Sequence, residues 1–209
     1  MVNNLLLKRS DVVILLVDHQ VGLLSGVRDI DTAALSNNVA ALAKAAKILD
    51  IPVIVTNVGP GDLWGPLIPE LAKEVADVEV IQRTAVNAWD DSKVVEAIKA
   101  TGRKQILIAG ISLEVCAAFP AMSAHEQGYD ARVVLDASGT FNEAKRQAGI
   151  QRLTVAGIPL TDYATTSVEL LGDNADPKSS EVYGAMNMSF ANIVWQLNSA
   201  AKVSVKNGE

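Results

Sequence analysis

Apolar residues along this 209-residue chain fall in short unbroken runs, separated by stretches with helical spacing. Asp11–Asp18 (DVVILLVD) is β-branched and apolar on both alternations, the pattern of a strand covered on both faces. Shorter runs over Pro52–Thr56, Val78–Gln82, Gln105–Gly110, Ala131–Leu135 and Ile158–Leu160 predict further strands. Between them, Leu35, Val39, Leu42, Ala46 and Leu49 recur at helical spacing over Ser36–Leu49, and Asp50-Ile51-Pro52 stops that helix. Ser92–Ala100 carries Val94, Val95 and Ile98 on one face, with Gly102 behind it. Val115–Gln127 ends at Gly128 and Glu143–Ala156 at Gly157, glycines where a left-handed cap is wanted. Strands alternating with helices predict βαβ units and a mostly parallel α/β sheet.

Two segments break the alternation. Val58–Pro69 (VGPGDLWGPLIP) holds three glycines, three prolines and Trp64, too rigid for either period, and reads as a lid or binding wall. Gly172–Ser180 is a polar turn cluster before a last helical stretch running to about Ala200. That stretch carries Met186, Met188, Phe190, Ile193, Val194, Trp195 and Leu197, more apolar surface than a solvent-facing tail tolerates. A subunit contact is expected there. With no repeat or linker in the way, one domain over 1–209 is expected, its residues from about 180 onward forming an oligomer-contact segment.

Composition narrows the partners. The chain is 49% hydrophobic and 20% charged, with a mean hydropathy of +0.23, and its Pro and Gly are unphased, which excludes disordered and fibrous classes. A net charge of −6 makes nucleic acid and anionic membranes unexpected partners. One cysteine and two histidines leave no intrachain disulfide and nearly exclude a Cys/His zinc site. The N-terminal apolar run is three residues long before Lys8 and Arg9, short of a signal peptide, and no run approaches the roughly 20 residues of a membrane span. A cytoplasmic setting is expected.

In an open parallel sheet, ligands bind beyond the carboxyl ends of the strands, which selects Asp18-His19-Gln20, Gln82-Arg83-Thr84 and Gly110–Cys116. Cys116 opens the helix after QILIAG, where the dipole and free N–H groups favour thiolate. A small buried hydrophobe is the competing role for it. Asp18 ends an apolar strand, and could take a thiol's proton and return it to a leaving amine; a turn or cap former is the plainer alternative. Arg83 could hold charge between the two but cannot exchange a proton near neutral pH, and a strand-end Arg is commonly a surface ion pair. His19 and His125 read as structural or interface residues, and Glu114 as a first-turn helix charge. The stretch from Gly110 to Cys116 supplies backbone N–H groups at the helix entry, the ingredients of an oxyanion hole.

With these residues in view, the chain resembles the isochorismatase-like cysteine hydrolases, and within them the YcaC-like hydrolases. The likeness rests on LLVDHQVGLLSGVRDID (15–31), NAWDD (87–91), TGRKQILIAGISLEVCAAFPAMSAHEQGYD (101–130) and DASGTFNE (136–143). It runs from about Val12 to Arg152. The resemblance implies a Rossmann-type three-layer α/β/α sandwich on a mostly parallel six-stranded sheet. It also implies a triad of Asp18, Arg83 and Cys116, with Arg83 standing where the amidases of the family have lysine. A cis peptide is implied at Ile111–Ser112, and with it an oxyanion hole from the Ser112 and Cys116 amides. A homo-oligomer, an octamer, follows from the same likeness. Nicotinamidases hold a metal through histidine after the second strand; Thr56-Asn57-Val58-Gly59-Pro60 has none, so neither metal nor cofactor is expected. Trp64, Trp89 and Phe119 are candidates for the apolar wall of a substrate pocket, with a core role equally open.

The leading expectation is a hydrolase of a small amide or related carbonyl compound, acting through a Cys116 thioester. The alternative is an oligomeric thiol protein that senses oxidants or electrophiles without turnover. A dinucleotide-binding oxidoreductase is disfavoured, because DHQVGLLSG after the first strand lacks the glycine pattern that approaches a pyrophosphate.

Overall fold

The computed structural model describes residues 6–59, 63–188, 193, 194, 196 and 197. In chain order, the strands are β1 (Val12–Val17), β2 (Val53–Val58), β3 (Val80–Arg83), β4 (Gln105–Gly110), β5 (Asp130–Val134) and β6 (Leu160–Thr161). All six pair in parallel in the order β3-β2-β1-β4-β5-β6. This is the Rossmann-type order, and its direction reverses between β1 and β4. The helices are α1 (Val21–Gly26), α2 (Thr32–Ile48), α3 (Pro69–Glu74), α4 (Ser92–Ala100), α5 (Ala118–Glu126), α6 (Glu143–Val155), α7 (Tyr163–Leu171) and α8 (Ser179–Met186).

The alternation of β1 decides the layers. Val12, Ile14 and Leu16 pack with residues of α2, α3, α7 and α8 on one face. Val13, Leu15 and Val17 pack with residues of α4, α5 and α6 on the other. Every residue of β1 and β4 is buried, which is why both read as continuous apolar runs. Aspartate or asparagine side chains accept an amide at the starts of α2, α4, α6 and α7, fixing where each helix begins.

Several boundaries differ from the sequence pattern. α1 and α3 are six residues each, too short to show a helical period. α7 hides behind Thr165, Thr166 and Val168, β-branched residues of low helix propensity. The expected continuous helix to Ala200 stops at Met186, where Asn187 turns left-handed at φ 48°, and residues 193, 194, 196 and 197 are helical again. Met186 is buried against α2 and α7 residues, while Ile193, Val194 and Leu197 are exposed. Phe190, Trp195 and Ala200 lie outside the described residues. No helix among the described residues is long and apolar enough to cross a membrane.

Ile108 sits at the centre of β4, fully buried. Ile108→Ala should cost about 2–5 kcal/mol, read as a lowered urea midpoint with the slope unchanged.

Candidate active site

The carboxyl ends of β1, β3 and β4 bring the site together. Asp18 directly follows β1; its amide continues the ladder to the Thr56 carbonyl at 3.0 Å, and its own carbonyl accepts the Gln20 amide at 2.8 Å. Its φ of 59° lies in the left-handed region, which aspartate tolerates better than most non-glycine residues. The chain thus leaves the sheet with the Asp18 side chain wholly buried. Arg83, the last residue of β3, reaches across the end of β2 and pairs with Asp18 Oδ2 through Nη2.

Thr56 of β2 sits between them. Its hydroxyl donates to Asp18 Oδ1 at 3.4 Å and accepts from Arg83 Nε at the same distance. Arg83 Nη1 donates to the carbonyls of Ala85 and Val86, the latter at 3.1 Å, so the guanidinium is held on three sides. The sequence pattern missed Thr56 as a site residue. A lone hydroxyl late in the apolar run VIVTNV was the available signal.

Cys116 does not stand in an ordinary first helical turn. Leu113–Ala117 form a π-helical turn before α5, a feature often found at functional sites. The Ser112 carbonyl collects the amides of Val115 at 3.2 Å, Cys116 at 2.7 Å and Ala117 at 3.3 Å. The Ile111–Ser112 peptide is cis, at the position the resemblance implied. Of the two amides that the resemblance implied for an oxyanion hole, that of Cys116 donates to the Ser112 carbonyl in this structure. The Ser112 backbone also favours the thiolate form of Cys116, offsetting part of the effect of burial. Cys116 and Asp18 lie close enough for each to shift the other's titration.

Electrostatics here run against the helix-entry argument. Burial pushes the Cys116 thiol well above its ordinary range, and the Asp18 charge pushes it further; Arg83 and Ser112 offset only part. Burial likewise raises Asp18, against the opposing pull of Arg83, Cys116 and Thr56. One guanidinium faces two acids, so the resting site keeps one proton between carboxylate and sulfur. A free thiolate, the sequence-based expectation, is disfavoured because burial and the Asp18 carboxylate outweigh Arg83 and Ser112.

The other candidates scatter. His19 is fully buried and burial lowers it to about 4; in that neutral ring Nε2 donates to the Ala137 carbonyl at 2.8 Å, a structural role. His125 is exposed on α5. Trp89 is buried in the same apolar cluster as Cys116 and meets Tyr129 edge-on at 5.4 Å. Phe119 lies under the Arg152 guanidinium at 5.1 Å, towards α6. Trp64 is 37% exposed, and its carbonyl accepts the Gly22 amide at 2.8 Å. The Gly/Pro-rich loop is further stapled to the Asp18 turn by Ile68 N–H to the His19 carbonyl at 2.9 Å and Val21 N–H to the Pro66 carbonyl at 3.0 Å. Among the described residues, no three His, Cys, Asp or Glu side chains group to hold a metal ion.

The isochorismatase domain model matches residues 12–165, which contain all three of these side chains. The chain belongs to the isochorismatase family. It is 48% identical to YcaC of Escherichia coli over 171 residues, 80% of this chain and 81% of that one. It is 31% identical to isochorismatase domain-containing protein 2 of Xenopus laevis over 143 residues, 68% of each chain. The E. coli YcaC structure, described as an octameric hydrolase of unknown specificity, superposes with a TM-score of 0.88 at 40% identity, covering 96% of this chain and 100% of that one. A YcaC structure from Pseudomonas aeruginosa, with hexane-2,5-diol and covalent acrylamide, gives 0.85 at 40% identity over 95% and 100%.

Two outcomes follow from the site's electrostatics. Arg83→Met leaves a buried carboxylate unpaired, and should cost about 3–5 kcal/mol in a denaturant melt, a larger loss than Arg83→Lys. The alkylation rate of Cys116 by iodoacetamide should keep rising beyond the roughly 8.5 of an ordinary thiol, because a raised thiol pKa delays thiolate formation to higher pH. A plateau already reached near neutral pH would contradict that picture.

Proposed function

We propose that this protein is a cysteine hydrolase of a small amide or related carbonyl compound, working through a thioester. The observation that carries it is the fully buried Asp18–Arg83 pair with the buried Cys116 thiol coupled to that carboxylate. As Cys116 Sγ attacks the carbonyl carbon, its proton passes to Asp18 and the site's total charge stays constant. The oxyanion forms beside the Ser112 amide, with the Cys116 amide able to contribute only by sharing its bond to Ser112. Collapse breaks the C–N bond, and Asp18 returns the proton to the leaving amine. A water then gives its proton to Asp18, attacks the thioester and releases the carboxylic acid and the thiol. Arg83 keeps its proton throughout and stabilises the carboxylate form of Asp18.

The family supports this reading: YcaC is described as a hydrolase, and one YcaC structure carries covalent acrylamide, a small amide and electrophile. The sensing alternative is weaker, because a redox thiol needs access and a low pKa, whereas Cys116 is 9% exposed and its pKa is raised. The E. coli relative's octamer makes an octamer the proposed assembly, with the segment from about residue 180 in the contact. The apolar side chains of Ile193, Val194 and Leu197, exposed in the single chain, favour that contact. We place the protein in the cytoplasm, where a single thiol stays reduced, with the substrate as its small-molecule partner.

The deciding experiment is intact-mass trapping from a panel of small amides. Cys116 is the only cysteine, so an acyl adduct that vanishes in Cys116→Ser identifies the nucleophile; turnover by Cys116→Ser would overturn the mechanism. Asp18→Asn should lower turnover by about 10²–10⁴-fold. Because burial raises Asp18 and the base must be ionised, kcat/KM should fall on the acid side through a pKa above the usual 3.8. Chelator treatment should leave turnover unchanged.

A further inference from the structure

DASGT, part of the matching stretch, has no role in the chemistry above. After Val134, β5 leaves the sheet through the 3-10 turn Leu135–Ala137, so the last residues of β4 lose their strand partner on that side. Ser138, fully buried, takes its place. Its Oγ accepts the Gly110 amide at 3.1 Å and donates to the Val134 carbonyl at 2.8 Å. Gly139 continues the grip, bridging Ile111 in parallel and accepting the Leu113 amide at 2.9 Å.

The gripped segment is the entry to the nucleophile's turn. A Cβ on Gly110 would lie 2.9 Å from the Val17 carbonyl oxygen, 3.1 Å from the Cys116 carbonyl carbon and 3.2 Å from the Ala117 nitrogen. The Cys116 turn therefore rests directly on Gly110, and a displacement of Gly110 is passed to the sulfur. The grip is itself anchored. Thr140 N–H donates to Asp29 Oδ1 at 2.6 Å, and the fully buried Asp29 side chain pairs with Arg146 of α6 at 2.7 Å.

We infer that Ser138 is a positioning residue for Cys116: its hydroxyl completes the end of β4 and so holds the sulfur against Asp18. The inference rests on the proposed nucleophilic role of Cys116. Without the hydroxyl, the buried Gly110 amide and Val134 carbonyl lose their partner, and the turn relaxes away from Asp18. Two readouts then move in opposite senses. Proton transfer from sulfur to Asp18 becomes less efficient, while the thiol, losing the neighbour that raises its pKa, titrates closer to a free thiol.

The probes are p-nitrophenyl acetate and iodoacetamide on the full chain. In acylation the Cys116 S–C bond forms, the ester C–O bond breaks, p-nitrophenolate leaves and the thiol proton goes to Asp18. Ser138→Ala should slow acylation at neutral pH by about 10- to 100-fold and lower the pH midpoint of alkylation. Ser138→Thr and Ser138→Val have nearly the same shape and differ in the hydroxyl. Thr should stay close to the parent in both readouts, and Val should behave like Ala. A folded Ala or Val variant with the parent's acylation rate would overturn the inference, as would a folded Thr variant as slow as Val. A parent protein that reacts with neither probe at Cys116 would instead remove the nucleophile reading, and this inference with it.

Discussion

A carboxylate at the end of a strand buried on both faces can persist only if a cation comes to meet it, and that requirement organises the site. Asp18 has no exposed side-chain surface, nor does Arg83. Bringing them together takes three adjacent strands, since β3 delivers the guanidinium across the end of β2 and Thr56 fills the gap. Each partner would be prohibitive alone in this interior, and a hydrophobic pair of similar volume would fold as well or better. Retention of the charged pair is therefore explained by chemistry more readily than by stability.

Placing a thiol beside that pair gives the site its character. With one positive charge for two acids, burial keeps the proton in the dyad instead of expelling it. In the proposed mechanism, reactivity is coupled to a substrate that can accept the sulfur as the proton moves. The backbone around the thiol is hydrogen-bonded from both sides. The Ser112 carbonyl gathers the amides of the π turn, and the segment at Ser138–Gly139 ties that turn to the sheet.

The chain itself determined much of this. Unbroken apolar runs in Val12–Val17 and Gln105–Gly110 dictated strands buried on both faces, and the helical spacing between runs dictated a parallel sheet. Asp18, Arg83 and Cys116 could be singled out because they follow or end such strands, beyond whose carboxyl ends an open parallel sheet binds its ligands. What the chain could not disclose is the sign of the electrostatics. Helix-entry position argued for a low thiol pKa, yet the depth of burial and the contact with Asp18, both set by packing, raise it. The roles of Thr56 and Ser138 and the engagement of the Cys116 amide were hidden for the same reason. A hydroxyl or an amide has no fixed partner in one dimension, and only the register of β2, β3 and β4 with their following turns chooses it.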